Sequence, residues 1–460
     1  MKLSYLITLS LGMFSLTSAK KRRLDSSQIL VNSDSRVVIS PNIEEKKPIS
    51  EKQKLPLLEV CKHSNYFISD AEELRELQNN CLSVTGSIEI LSNYTDTNVE
   101  FGNLKNIEGD LKIANSPYIN KIHGNQLQNV HGKFTILNLT SVASIKLPSF
   151  IYTESIDWET LPVLTEAQIH QDISDVKNII ISDTSLSQIG RLGEIKELEI
   201  FNINNNRFLE NIEMDLIRVT KELTIHANAK ELELEMPNLV SVKNLTVRDT
   251  SKVSFPKLQQ VNSSMEFIEN FFEELEIPTL LSIDGTLGII DNVNLKKIDL
   301  KNVTNVDGGI MVSNNSKLNK IDFLPQLRQV GGAVQLEGNF DDTDFPELKL
   351  VKGSAYIKST SNNLDCTKWT KLVNDRSIIR GGKVSCTSDK KENSLKVNEE
   401  GEVLDKSEMI VENENTDNSK VMDRKKSDIT KDKESKAAAA TRLPCFGLFI
   451  SMCLLSATII

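Results

Sequence analysis

Few residues in this 460-residue chain have both the type and the spacing to do chemistry. Cys61 and Cys81 lie near the start of its middle region and Cys366 and Cys386 near the end, which suits local bridges Cys61–Cys81 and Cys366–Cys386 in an oxidising compartment. Four cysteines admit three pairings, and the sequence favours this one without excluding the others. Zinc is the competing use, but the region has no CxxC and His63 is the only imidazole nearby.

Asp341, Asp342 and Asp344, in "FDDTDF", are the densest carboxylate cluster of the region. On a parallel β-helix they suggest a calcium site or a polysaccharide-cleaving pair, and hydrolysis needs two carboxylates about 5 to 10 Å apart across one sugar. The cluster falls in a turn, where Asp is common for turn chemistry alone. His123, His131, His170 and His226 match no triad or metal-ligand spacing. The expectation is a chain with no catalytic residue, no metal and no cofactor. Asn93, Asn138, Asn244, Asn262, Asn302 and Asn314 begin Asn-x-Ser/Thr sequons, each a usable N-glycosylation acceptor on a secreted chain. The net charge of −10, with no basic stripe, argues against a nucleic-acid partner.

The ends supply the context these residues need. "MKLSYLITLSLGMFSLTSAK" has a cation at Lys2, an apolar run from Leu6 to Leu16 and small residues up to Ala19, so residues 1–19 read as a secretion signal. Residues 20–60 are polar and charged and are expected to be disordered; Lys20-Lys21-Arg22-Arg23 is either a dibasic processing site or a solvated basic start. Residues 387–436 are highly charged and lack aromatics, the composition of a disordered stalk. An uncharged tail within residues 437–460 follows small residues at Ser435, Ala437 and Ala438, the pattern of a GPI-attachment signal whose tail is removed. The alternative is a tail that stays as one membrane span. Cys445 and Cys453 leave with the tail on the first reading.

Residues 61–386 repeat themselves. Two apolar residues flanking a polar one recur thirteen times, from Ile88/Ile90 through Ile156/Trp158, Ile179/Ile181, Leu198/Ile200 and Leu223/Ile225 to Ala355/Ile357, on average about 22 residues apart. Such a triplet is a short strand with both apolar side chains on one face, which it can bury only against its neighbours. Thirteen stacked copies make a mainly β fold, a right-handed parallel β-solenoid of the leucine-rich type. Leu104, Leu127, Leu239, Leu258, Leu280, Leu327 and Leu348, each three before an Ile or Val, supply a second inward ladder. Prolines such as Pro256 and Pro325 mark a corner needing no ladder donor, and Gly86, Gly109, Gly132, Gly285, Gly308, Gly332 and Gly353 mark a bend needing positive φ or close backbone approach. Asn93, Asn228, Asn270, Asn292, Asn315 and Asn339 fall three residues past the second strand position, where stacked copies form a side-chain ladder.

Open solenoid ends need caps. "SDAEELRELQNNC" offers a helix capped by Ser69 or Asp70 and tethered by Cys81; "CTKWTKLVNDRSIIRGGKVSC" places Trp369, Leu372 and Val373 on a second short helix. The only two indoles, Trp158 and Trp369, are expected in core and cap packing. The irregular stretch between Ser149 and Asp175, with Pro162, suggests a break into two lobes near residues 150–175.

This combination of signal, Cys-bounded "P-x-L-x-x-V-x-G-x-L-x-I" coils and GPI-type tail resembles the fungal GPI-anchored cell-wall organisation proteins, whose repeats are like receptor L domains, and most of all the yeast sporulation-specific members. The resemblance implies a surface protein at the outer face of the plasma membrane or in the wall, required for ordered wall assembly, and for the sporulation branch a role in the spore wall. It implies as partners a wall polysaccharide or mannoprotein, and the membrane through a GPI lipid. It carries over no catalytic residue. A carbohydrate-active enzyme on a parallel β-helix is the alternative class, and a signalling ectodomain a third, which the lack of a cytoplasmic portion disfavours.

Overall fold

A computed structural model describes residues 58–170, 172–189, 195–372, 376–389 and 391–410. The secretion signal, most of the expected N-terminal segment, the residues from 411 to 436 and the GPI-type tail with Ser435, Ala437 and Ala438 lie outside the described residues.

Each triplet is a strand of one long parallel sheet, and the register aligns the apolar pairs coil upon coil. Ile88 pairs with Leu111, Leu111 with Phe134, Phe134 with Ile156 and Ile156 with Ile179. The same ladder runs on through Leu245, Met265, Leu287, Ile310 and Val334 to Ala355, with every one of these side chains buried. Burial of each such side chain contributes about 1.5–3 kcal/mol, so the inward columns are what holds the coils together. The ladder also extends one rung past each expected end: Tyr66 and Ile68 stack on Ile88 and Ile90, and Val384 and Cys386 on Ala355 and Ile357.

Leu198/Ile200 is not a rung of this ladder. Ile179 and Ile181 pair with Phe201 and Ile203, which in turn pair with Leu223 and Ile225, whereas Leu198 pairs with Val219 in the second inward column. "ELEIFNIN" contains two adjacent apolar-polar-apolar triplets, and only the neighbouring coils decide which faces the main column.

The expected break near residues 150–175 is likewise not a break in the sheet. Tyr152–Leu161 is the longest described strand, 10 residues, and pairs in parallel with both Asn129–Leu137 and Asn178–Thr184. A register shift between Thr153 and Ser155 absorbs the irregular spacing as a bulge.

The corners follow from local chemistry. In Phe255-Pro256-Lys257-Leu258 the Leu258 N–H donates to the Phe255 carbonyl at 3.2 Å, and Leu280 and Leu327 do the same to Ile277 and Leu324. Proline thus takes the second position of a turn, where its fixed φ fits and its missing donor is not wanted. At the turn into the sheet Gly285, Gly308, Gly332 and Gly353 stack directly. A Cβ on Gly308 would lie 2.6 Å from the Gly285 backbone. Close approach is the reason for these glycines, since none of them has positive φ.

A run of positive φ values falls instead at the turn out of the sheet, two residues past the second strand position. Ten successive coils place Asn115, Asn138, Thr160, Asp183, Asn205, Ala227, Asp249, Glu269, Asp291 and Asn314 there, with φ between 52° and 58°. None is glycine. Asn and Asp tolerate this region; Thr160, Ala227 and Glu269 occupy it at a cost of about 1–2 kcal/mol each.

One residue further on, buried Thr184 and Asn206 and half-buried Asn228 form one polar stack, and buried Thr250, Asn270, Asn292 and Asn315 another. Asn93 and Asn339, expected in such a ladder, are exposed and outside it. Asn206 takes part because Ile203, not Ile200, is the inward strand residue.

Both ends are stapled: Cys61 bonds Cys81 and Cys366 bonds Cys386, the pairing that spacing favoured among the three. Helix α1 (Ala71–Asn80) closes the first coil; Asp70 caps it by accepting from the Glu72 and Glu73 N–H groups at 2.9 and 3.0 Å, and Leu74 and Leu77 are buried beneath it. The other end differs from expectation. Helix α2 is a single turn, Thr367–Thr370, with Trp369 buried but Leu372 exposed; Val373 lies outside the described residues. Strand Lys391–Val397 adds antiparallel to Lys383–Ser388, and Val403–Ile410 antiparallel to it in turn, so the described end of the fold extends through residue 410 and the expected stalk does not begin at 387. Leu395 and Val397 are buried, which shows why this charged segment orders: its alternation buries one face while the other stays charged.

Candidate functional site

The acidic cluster weighed as a calcium site or sugar-cleaving pair, Asp341, Asp342 and Asp344, sits in turn and cap contacts. Asp341 accepts from Ser361 Oγ at 2.5 Å and Asn363 Nδ2 at 3.2 Å, and these hydrogen bonds hold its carboxyl below the usual range. Asp342 is ion-paired with Lys368 at 2.6 Å. Both acids are thus engaged in turn and cap contacts. Among the described residues no group of three His, Cys, Asp or Glu side chains is placed to hold a metal ion. The histidines stay apart: His131 faces Glu108 at 3.6 Å, His170 Nδ1 accepts from the Asp172 N–H at 3.1 Å, and burial lowers the pKa of His226.

One carboxyl pair was missed in the sequence. Glu159 on strand Tyr152–Leu161 is raised above the ordinary value, first by its hydrogen bond to Asp157, then by burial and by the charges of Asp157 and Asp183. Two acids in direct contact are closer than the about 5 Å minimum for a glycoside-cleaving pair. Their signal in the sequence was Asp-x-Glu on one strand face, which places both outward.

Both indoles are structural. Trp158 is 1% exposed and packs edge-on against Phe134 at 5.7 Å; Trp369 is 3% exposed, donates to Thr343 Oγ1 at 2.9 Å and packs on Phe345.

What the chain does present is a long outward sheet face, one residue per coil between the two buried positions. Glu89, Lys112, Thr135, Asp157 and Ile180 are successive members of this row. Asn202, Thr224, Thr246, Glu266, Gly288, Met311, Gln335 and Tyr356 continue it. No member of the row begins a sequon. Asn93, Asn138, Asn262 and Asn314 are exposed at turns; Asn244 and Asn302 are half-buried and donate Nδ2 to the Lys221 and Pro278 carbonyls at 3.1 and 2.7 Å.

These features define a class: a disulfide-capped parallel β-solenoid that offers a regular lateral surface. Comparison with known proteins narrows it. The chain is 47% identical to sporulation-specific protein 2 of Saccharomyces cerevisiae over 84% of its own length and 76% of that protein's. It is 46% identical to sporulation-specific protein 22 of the same yeast over 79% of each, and 33% identical to the cell surface GPI-anchored protein ECM33 of Candida albicans over 71% and 78%. The chain belongs to this family of fungal cell-surface and cell-wall proteins. No family model and no solved structure matches it.

Proposed function

We propose that this protein is a non-enzymatic, GPI-anchored surface glycoprotein that organises the cell wall, and that its wall is the spore (ascospore) wall. The observation carrying the spore assignment is the gap in similarity. Identity is 46–47% to two proteins named for sporulation, against 29–33% to the ECM33 relatives and the cell wall mannoprotein PST1. The outward row from Glu89 to Tyr356 suits an extended partner such as a wall polysaccharide or mannoprotein, because a solenoid repeats its surface groups at strand spacing, about 4.8 Å. The lipid attaches at Ser435, Ala437 or Ala438, and glycans sit on sequon asparagines at the turns, where they leave the row clear.

Deletion of the gene followed by electron microscopy of vegetative and spore walls tests this reading. A defect confined to spore walls is the expected result; normal layers in both would refute it. The carbohydrate-active alternative gains nothing from Asp341, Asp342 and Asp344, which are tied to Ser361, Asn363 and Lys368 or left exposed at a turn.

A further inference from the structure

The lateral strands on another side of the coils are interrupted between Lys297–Asp299 and Lys320–Ile321. The first pairs only with Glu274–Glu276 before it, the second only with Asp342–Thr343 after it. Like charges would meet across the gap. Glu274 and Lys297, 23 positions apart, pair as opposite charges; the same spacing would set Lys297 against Lys320 and Asp299 against Asp322. Like charges directly opposed destabilise a strand pair.

The seam opens a cavity of about 440 Å³ whose charged lining is Lys296, Lys297, Lys317, Lys320 and Asp322, with buried Ile298 and Leu318 beneath. Lys296 and Lys297 have carboxylate partners, Glu273 at 2.7 Å and Glu276 at 2.5 Å, in exposed pairs of small energetic worth. Lys317 reaches the neutral Asn294 Oδ1 at 2.8 Å, and Lys320, whose charge is felt by Asp341, makes no side-chain hydrogen bond or ion pair within 4.0 Å among the described residues. Four lysines against the single carboxylate Asp322 leave this lining net positive in a chain of net charge −10.

We propose that this seam binds an acidic sugar, a saccharide bearing a phosphate or a carboxylate. The anion lies between Lys317 and Lys320, and the sugar ring rests on Ile298 and Leu318. The volume is that of a small-ligand pocket, on the order of 300–1,000 Å³. A phosphate and a carboxylate share the chemistry the lysines recognise: a compact anion taken by point charges. The saccharide part of the inference rests on the wall-binding reading above; the anion part does not.

The full chain is titrated calorimetrically at low salt with glucose 6-phosphate, glucuronate, inorganic phosphate and glucose. Either or both of the two acidic sugars bind at least tenfold more tightly than phosphate or glucose, and which of them does so identifies the anion. The double variant Lys317→Gln/Lys320→Gln loses that tenfold with an unchanged melting temperature, and Lys317→Arg/Lys320→Arg keeps it. Binding of phosphate as tight as that of the acidic sugars, failure of both acidic sugars, or affinity untouched by the Gln substitutions overturns the proposal. A normal spore wall on deletion would overturn the wall reading instead, so the two failures are distinct.

Discussion

Asn270 donates both its backbone N–H and its Nδ2 to one oxygen, Asn292 Oδ1, at 3.0 and 2.9 Å, and Asn292 repeats the arrangement toward Asn315 at 3.0 and 3.1 Å. Each Asn in this stack lies within the core yet has its amide satisfied from the next coil, with Nδ2 also reaching back to carbonyls such as Phe267. The stack is a polar column that joins coils through directional bonds, beside apolar columns that join them by burial.

Asn292→Ala therefore leaves the two Asn270 donors without their acceptor inside the core. Each buried polar group so orphaned costs about 1–3 kcal/mol, so the loss should reach about 3 kcal/mol in urea unfolding. Asn339→Ala, at an exposed position outside the stack, is expected to change stability by less than about 0.5 kcal/mol. Equal effects at the two positions would show that the column carries no stability.

Ala227 holds φ at 52° without glycine's freedom or an amide side chain. Ala227→Gly relieves about 1–2 kcal/mol of backbone strain and gives back about 0.5–1 kcal/mol in unfolded-chain entropy. The net expectation is a gain of roughly 0.5–1 kcal/mol, read as a higher melting temperature. The same substitution at half-buried Ala71, in the first turn of α1, lowers it.

Glu159 is more easily protonated in the fold than in the unfolded chain. A carboxyl raised in this way contributes stability that is present at acid pH and lost as pH rises from the ordinary Glu value through the raised one. Glu159→Gln supplies a permanent N–H toward Asp157, so the variant should be the more stable at neutral pH, with the difference shrinking as pH falls through the raised value toward the ordinary Glu range. Melting curves of both proteins between pH 4 and 8 check this; parallel curves would contradict it.

Glycopeptide mass spectrometry of the secreted protein should find sugar on Asn93, Asn138, Asn262 and Asn314, whose side chains are exposed. Asn244 and Asn302 should be bare, because a glycan on either Nδ2 competes with its bond to a backbone carbonyl in a half-buried site. Full occupancy of Asn302 in folded protein would refute this division.

Much of the architecture could be read from spacing. Ile88/Ile90 or Leu287/Ile289 announce a strand because side chains alternate across it, and the Pro-x-Leu corners announce a turn because proline fixes φ. The misreadings arose where local pattern was ambiguous or silent. "ELEIFNIN" fits two registers, and the charged residues after Ser388 read as stalk although Leu395 and Val397 alternate toward the core. The carboxyl pair Asp157–Glu159 and the lysine seam left no mark as a site, since exposed acids and lysines are ordinary on any surface. The family relation, by contrast, was legible from the coils and the two ends together.

The sequence by itself determined the period, the identity of nearly every inward side chain and the chemistry of the corners. Each of these follows from how a few adjacent residues alternate or turn. Only the tertiary structure decided which cysteines bond, that Asn206 stacks while Asn93 does not, that the sheet runs through residues 150–175, and that Lys297 and Lys320 leave a gap. Those outcomes depend on which residue stands directly above another one coil, or about 20 residues, away. A single inserted residue or bulge shifts that neighbour without altering the local pattern.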